Sequence, residues 1–319
     1  PTDAVVLENW FPRPGSVDLR GGFSPHCTGF AQAPELLMAW NGVSNSKLFA
    51  VTATGLHDAT TAGAIGAELL SVTSSNFSYT NFETAAGGFL VAVNGADSLK
   101  LYNGTTWSSI TDVGAISITG VPTSELTSVV ALHRRLWFTR AASRSAYYLP
   151  VASVGGALAE LPLGQVFSEG GKLAAIGSWS SDPDAGQNDY TVFLSTKGEI
   201  ALYRGTDPAD ASTFEKVGVI SIAPPIAGHR SLAKLGGDLL ILCRLGLFKL
   251  SQILSSKAGI TKELSLTDRI NSAFTRAVTA YASNVHWQVL AYPQEQALIV
   301  NIPVTSSYSE QYVMNTLTG

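Results

Sequence analysis

One short pattern constrains the fold of this chain more than any other: a strand, a tight turn and a returning strand, repeated six times. Its clearest copy is residues 190–205, YTVFLSTKGEIALYRG. Apolar side chains alternate with others up to Leu194, Lys197 and Gly198 supply a turn, and Ile200, Leu202 and Tyr203 begin the return, the period-2 signature of a β-hairpin. Related hairpins occupy residues 47–58 (KLFAVTATGLHD), 88–107 (GFLVAVNGADSLKLYNGTTW), 135–149 (RLWFTRAASRSAYYL), 238–250 (DLLILCRLGLFKL) and 296–319 (QALIVNIPVTSSYSEQYVMNTLTG).

Each hairpin follows another short apolar strand, at residues 34–40, 80–85, 126–133, 172–179, 230–235 and 285–292. Fourth strands are predicted at 68–73, 115–119 and 214–222, with weaker versions at 158–163 and 262–266. A unit of three or four strands with hairpin onsets at 47, 88, 135, 190, 238 and 296 has the period of a β-propeller blade. Such a sheet cannot bury both faces alone, and radial packing of its neighbours covers the faces and shelters the edges. The expected fold is therefore all-β: a β-propeller of about six (six to eight) three- to four-stranded blades over residues 25–319, preceded by an extended arm, residues 1–24. The WD and kelch signatures are absent. A double-sheet sandwich is the alternative, since strands at short regular spacing fit it too.

Two stretches depart from the strand pattern. Residues 266–281 (LTDRINSAFTRAVTAY) carry apolar side chains at helical spacing, with Ser265 or Thr267 as N-cap, and predict one amphipathic helix near 267–281. In the arm, Pro12, Pro14 and Gly15 are read as breaking any regular element. Trp10 and Phe11 are bulky and must dock, either on their own domain or on a neighbouring subunit, where Arg13 and Arg20 would sit at the rim.

Composition narrows the classes of function. Only 14% of residues are charged, against about 25% in a typical soluble domain, yet no apolar run is long enough to span a bilayer, so no membrane insertion is expected. An exterior short of charge suits permanent contact with other subunits. The net charge of −4 offers no basic footprint for gripping phosphates, which argues against sequence-specific nucleic-acid binding. Cys27 and Cys243, far apart and without CxxC spacing, read as packed free thiols. Residues 1–6 carry no secretory signal, and synthesis in a cytoplasm is expected.

Motifs for chemistry are missing. None of His26, His57, His133, His229 and His286 is paired at metal-ligand spacing, no GxSxG elbow occurs, and the Gly170-Gly171-Lys172 stretch fails as a phosphate loop, so no catalytic residue, metal or cofactor is assigned. The segment 182–189 places Asp182, Asp184, Asn188 and Asp189 around Gly186, loosely as a calcium loop does, but lacks the distal bidentate Glu; it reads as a solvated, candidate functional loop. A propeller glycosidase would need convergent carboxylates, for which Asp182, Asp184, Glu199, Asp207 and Glu215 are available, but no sialidase-type Asp box accompanies them.

Several strings, LENWFPRPGSVDLRGGF (7–23), YLPVASVGG (148–156), YTVFLSTKGEIALYRGTDP (190–208), GGDLLILCRLGLFKLS (236–251) and YVMNTLTG (312–319), resemble the tail hub or nozzle proteins of short-tailed bacteriophages, the packaged-DNA stabilisation family. The resemblance runs along nearly the whole chain in the same order. It implies a virion tail protein made in the host cytoplasm and assembled in several copies, six being the expected number, as a ring below the portal and its adaptor. Other tail proteins (fibre or spike, and needle) would be neighbours, and duplex DNA would pass without sequence-specific contact. Members of the family continue past the NTLTG turn, so the last blade is expected to be incomplete or to be finished by the N-terminal arm. Two other readings stay open: a carbohydrate- or receptor-binding propeller using Trp107, Trp137 or Trp179, and a glycan-cleaving propeller.

Overall fold

The computed structural model describes residues 8–180, 189–256, 261–305 and 308–317. It is a six-bladed β-propeller, as the repeat predicts. Blade 1 is built from Leu36–Asn41, Ser46–Val51, Gly55–Asp58 and Leu70–Ser71; blade 2 from Ser78–Thr84, Gly87–Val93, Leu99–Tyr102 and Trp107–Ile110; blade 3 from Leu126–Leu132, Arg135–Arg140, Ala146–Tyr148 and Ala159–Leu161. Blade 4 comprises Leu173–Ser180, Asp189–Ser195, Glu199–Arg204 and Glu215–Ser221; blade 5 Leu232–Leu235, Asp238–Cys243 and Gly246–Lys249; blade 6 Gln288–Tyr292, Ala297–Pro303 and Ser309–Asn315. The first strands of successive blades lie beside one another and form the inner wall of the ring.

The apolar runs on the second strands now have a cause. A blade in a ring is covered on both faces, so Leu90, Val91, Ala92 and Val93, or Leu239, Leu240, Ile241 and Leu242, are buried without alternation. One face of each run packs against the preceding blade and the other against the following one. Five apolar cores result, between blades 1 and 2, 2 and 3, 3 and 4, 4 and 5, and 5 and 6.

Two of the expected fourth strands fail. In blade 2 the fourth strand is Trp107–Ile110, because Asn103 Oδ1 accepts from the backbone N–H of Thr105 and Thr106 and Gly104, at φ +91°, completes a turn that sends the chain straight back. Within 115–119 only Ile118–Thr119 is a strand, and it pairs in parallel with Gly156–Ala157 at the edge of blade 3. Residues 262–266 form no strand: the N–H of Leu266 and the hydroxyl of Ser265 donate to the Leu247 carbonyl, while Thr267 Oγ1 accepts from the Leu247 N–H. Those bonds also correct the helix start. Ser265 and Thr267 are spent on blade 5, a 3-10 turn covers Asp268–Ile270, and the α-helix runs Asn271–Tyr281 with Phe274, Ala277 and Val278 in the core of blades 5 and 6. A further short helix, Leu250–Ser255, continues directly from the last strand of blade 5 and buries Leu250 and Ile253. Among the described residues no helix is long and apolar enough to cross a membrane.

The arm is more regular than its prolines suggest. Trp10–Arg13 and Ser16–Leu19 form a hairpin about Pro14-Gly15, with Gly15 at φ +74°. Pro12 faces Val17 at a position where the ladder needs no N–H, since the bonded pairs are Arg13 with Ser16, Phe11 with Asp18 and Asn9 with Arg20, the last closed by Arg20 N–H to the Asn9 carbonyl at 2.8 Å. The hairpin leans on Ser309–Asn315 of blade 6 without pairing with it, so it does not supply a fourth strand there.

Between blades 6 and 1 the ring has no apolar core among the described residues. Leu36, Met38 and Trp40 point into the core shared with blade 2, which by strand alternation turns Leu37 toward blade 6, and there it is 54% exposed. Val289 points into the core shared with blade 5, and Leu290 and Tyr292, on the opposite face, are 39% and 45% exposed. Each described blade draws its strands from one stretch of the chain, so no sheet joins its first blade to its last.

Candidate functional site

The segments that lead into the inner strands converge at one end of the ring axis. Glu35 immediately precedes the inner strand of blade 1, Ser75 and Phe77 that of blade 2, His229 and Arg230 that of blade 5, and His286 that of blade 6. Arg230 sits in the 3-10 turn Gly228–Ser231, and its guanidinium reaches across the axis: one terminal nitrogen donates to the Phe77 carbonyl at 3.2 Å, the other to His286 Nδ1 at 3.0 Å. Blades 5 and 2 stand opposite each other in a ring of six, so this side chain bars the channel.

Arginine only donates, so His286 Nδ1 must accept and its proton lies on Nε2. That atom faces Glu35 Oε2 at 3.6 Å, and Ser75 Oγ donates to the same carboxylate. Desolvation, reinforced by Arg230, lowers the pKa of His286, and the same two causes push His229 down to about 3. Burial also lowers Arg230, to about 10, which leaves it charged at neutral pH. His229 Nε2 is closed off from solvent and has no hydrogen-bond partner.

The cluster thus combines one cation, one carboxylate and two neutral imidazoles. Ser75 donates its hydroxyl to Glu35, and two of the five Arg230 N–H groups are taken by His286 and Phe77. Among the described residues no group of three or more His, Cys, Asp or Glu side chains is placed to hold a metal. What the arrangement can do is fasten blade 5, blade 6, blade 1 and blade 2 to one another across the axis. Nothing in the spacing of the five histidines brings His229 and His286 together. The weak signal was position, just ahead of an inner strand in each case.

The residues singled out in the sequence fall elsewhere. Trp10, Phe11, Arg13 and Arg20 lie on or beside the hairpin. Arg13 pairs with Asp18 at 2.8 Å and with Glu295 of blade 6 at 2.6 Å, the amide of Asn315 donates to the Pro12 carbonyl, and the Arg20 guanidinium stands 6.0 Å from the Phe23 ring. Phe11 is half-buried on the Arg13 side, whereas Trp10, Val17 and Leu19 occupy the other face and are exposed. Asp182, Asp184 and Asn188 lie outside the described residues; Asp189 begins its strand opposite Ser180, and its side chain is likewise outside the description.

Each of the other carboxylates has its own partners. Glu199 is 2% exposed; burial pushes its carboxyl up, but hydrogen bonds from Ser168 and the Glu169 N–H outweigh that and hold it below the usual value. Asp207 pairs with Arg135 at 2.9 Å and Glu215 with Arg204. Of the three tryptophans considered for glycans, Trp137 is wholly buried and Trp179 packs on Tyr190 and donates to Asp238, while Trp107 is partly exposed. Cys27 and Cys243 are free thiols, Cys243 buried and raised to about 11 by desolvation.

No protein-family model and no curated protein matches the chain. Among solved structures it is similar to the β-propeller domain of Cps50 (Swd1) from Myceliophteria thermophila, with TM-score 0.53 and 14% identity over 91% of this chain and 84% of that one. It is also similar to BBS1N in its complex with ARL6DN, with TM-score 0.50 and 8% identity over 90% of this chain and 79% of that one. At such identities the likeness is one of fold.

Proposed function

We propose that the chain is a structural subunit of a bacteriophage tail, part of a nozzle or hub ring below the portal and its adaptor, and that it acts by assembly and not by catalysis. The observation that carries this reading is the hairpin. The NWFPRPG string, one of the most distinctive in the resemblance, builds a two-stranded ribbon whose outer face presents Trp10, Val17 and Leu19 to solvent. A two-stranded ribbon is marginal by itself, and large apolar side chains lined up on its open face are suited to a neighbouring subunit. Phe23, 90% exposed, extends the same region.

Two further features support the reading. The few charged side chains suit lasting subunit contacts. Arg230 bars the axis of the single propeller, so any conduit for duplex DNA must run through the middle of a ring of copies. A heterologous contact that closes by rotation yields such a ring, for which six copies are expected.

Electron microscopy of the purified protein, alone and with its adaptor, tests this. The expected image is a ring with a central opening of about 20 Å or more, the width of a DNA duplex, and its loss in a Trp10→Ser, Leu19→Ser variant. A chain that stays monomeric at micromolar concentration with the adaptor present would sink the reading.

A further inference from the structure

At the rim between blades 1 and 2 a cleft of about 430 Å³ opens where two unlike features meet. Its floor is Trp107, which retains an exposed part and rests on the buried rings of Phe49 and Tyr102, with ring centroids 5.0 to 5.3 Å apart in the cluster. Its wall carries the ion pair of Lys47 with Asp58, at 2.8 Å, both about one-third exposed. Tyr102, raised by burial, lies within the field of both charges. The Asn103-Gly104 turn holds Thr105 and Thr106 at the edge, and a side chain at Gly104 would crowd Trp40.

The polar groups are not exhausted. One N–H of the Lys47 ammonium is used by Asp58, leaving two. The Asp58 carboxylate accepts from Lys47 through one oxygen and from the Thr60 N–H through the other, and retains lone pairs on each. A free donor and a free acceptor therefore stand side by side at hydrogen-bond separation, next to an aromatic surface. That combination fits a ring with an apolar C–H face and adjacent hydroxyl groups on its edge, because neighbouring hydroxyls are spaced much as a bonded donor and acceptor are. An anion would gain no net attraction from a pair whose charges cancel, and a wholly apolar ligand would strip water from the pair without replacing it.

We propose that the cleft bounded by Trp107, Tyr102 and the Lys47–Asp58 pair is a binding site for a neutral pyranose, the sugar ring lying on the aromatic floor with two adjacent hydroxyls on Lys47 and Asp58. The proposal is independent of the assembly reading, since the cleft lies on a single copy and takes its whole lining from blades 1 and 2.

Saturation-transfer NMR with three neutral probes, methyl α-glucopyranoside, methyl α-mannopyranoside and methyl α-galactopyranoside, each at about 10 mM, tests it at the affinity expected of a ligand held on one face. Transfer to the ring C–H protons of at least one probe is expected. Leu69→Trp, at an exposed position on the rim, fills the cleft without touching the polar groups and abolishes the transfer. A Lys47→Met, Asp58→Asn double variant, which removes the pair together and leaves no lone charge, binds about tenfold more weakly. Absence of transfer from all three probes, transfer that survives Leu69→Trp, or full affinity in the double variant would each overturn the proposal.

Discussion

The interface between blades 3 and 4 and the seam between blades 6 and 1 perform the same geometric task by different physics. At the first, Trp137, Phe193, Tyr203 and Phe214 interlock in a dry core, with Phe193 and Tyr203 edge to face at 5.4 Å and Tyr203 stacked on Phe214 at 5.1 Å. At the second, Leu37, Leu290 and Tyr292 remain open and the blades are joined by Glu35, His286 and Arg230 at the axis. Apolar burial is spread over area and tolerates small displacements, whereas a few polar contacts are strong only at one geometry. The ring is therefore uneven in strength, with its weak joint where blade 6 meets blade 1.

The largest test of this contrast is a pair of truncations. Phe193→Ala should cost about 3–5 kcal/mol in a denaturant titration, because the cavity cannot collapse between two rigid sheets. Leu37→Ala, on an inner strand but at the seam, should cost less than about 0.5 kcal/mol. Similar losses at the two sites would show that the seam is packed like the other interfaces.

Next in size is the axial bar. Arg230→Met keeps bulk but leaves the Phe77 carbonyl and His286 without their partner, for an expected loss of about 1–3 kcal/mol. Its effect on shape should be local. Nitroxides at Ser44→Cys and Gln294→Cys flank the seam, and Ser44→Cys with Ala86→Cys flank the sealed joint of blades 1 and 2, all in turns at the far ends of inner strands. In a Cys27→Ser background, with buried Cys243 unreactive, Arg230→Met should broaden only the first distance distribution. Equal broadening at both pairs, or none, would remove the seam's special status.

How much of this was legible in the sequence follows from the same contrast. Strands such as 89–93 and 239–243 announce themselves because burial on two faces demands unbroken apolar runs, and the sequence records that demand directly. The fourth strands lie at the edge and carry a weaker apolar demand, so 115–119 and 262–266 look like strands but the hydrogen bonds of Asn103, Ser265 and Thr267 decide otherwise. The hairpin was hidden by Pro12, whose missing N–H matters only if register is unknown. Least legible was the axial cluster. Glu35, Ser75, Arg230 and His286 are ordinary residues in ordinary contexts, and only ring closure makes them neighbours.

Acid should loosen the seam before it loosens anything else. His229 and His286 are held below their ordinary value in the folded state, so between that lowered value and about pH 6.5 the unfolded chain binds protons that the folded chain does not. Stability is then unaffected by them above about pH 6.5 and falls as pH drops below it, by about 1.4 kcal/mol per pH unit for each histidine that stays neutral in the fold. The denaturation midpoint measured from pH 7.5 down to 5 should decline accordingly, and His229→Leu should flatten the slope by one proton. An unchanged slope in that variant would mean that His229 titrates normally and that the cluster is wetter than its burial implies.

The smallest effect belongs to the hairpin's tether. Arg13 pairs with Asp18 and Glu295 at the surface, where solvent and salt screen charge, so Arg13→Ala should leave the melting temperature of the propeller unchanged. What it should change is the hairpin itself. Trp10 is held near blade 6 through its own ribbon, the contacts of Arg13 with the Glu295 carboxylate and carbonyl, and the Asn315 bond to Pro12, and removing the Arg13 contacts should raise the rate of tryptic cleavage after Arg20 while cleavage within the blades stays constant. If cleavage after Arg20 is as slow in the variant as in the parent, the ribbon is held by apolar contact on its Phe11 face, and its contact with blade 6 owes less to charge than the seam beside it does.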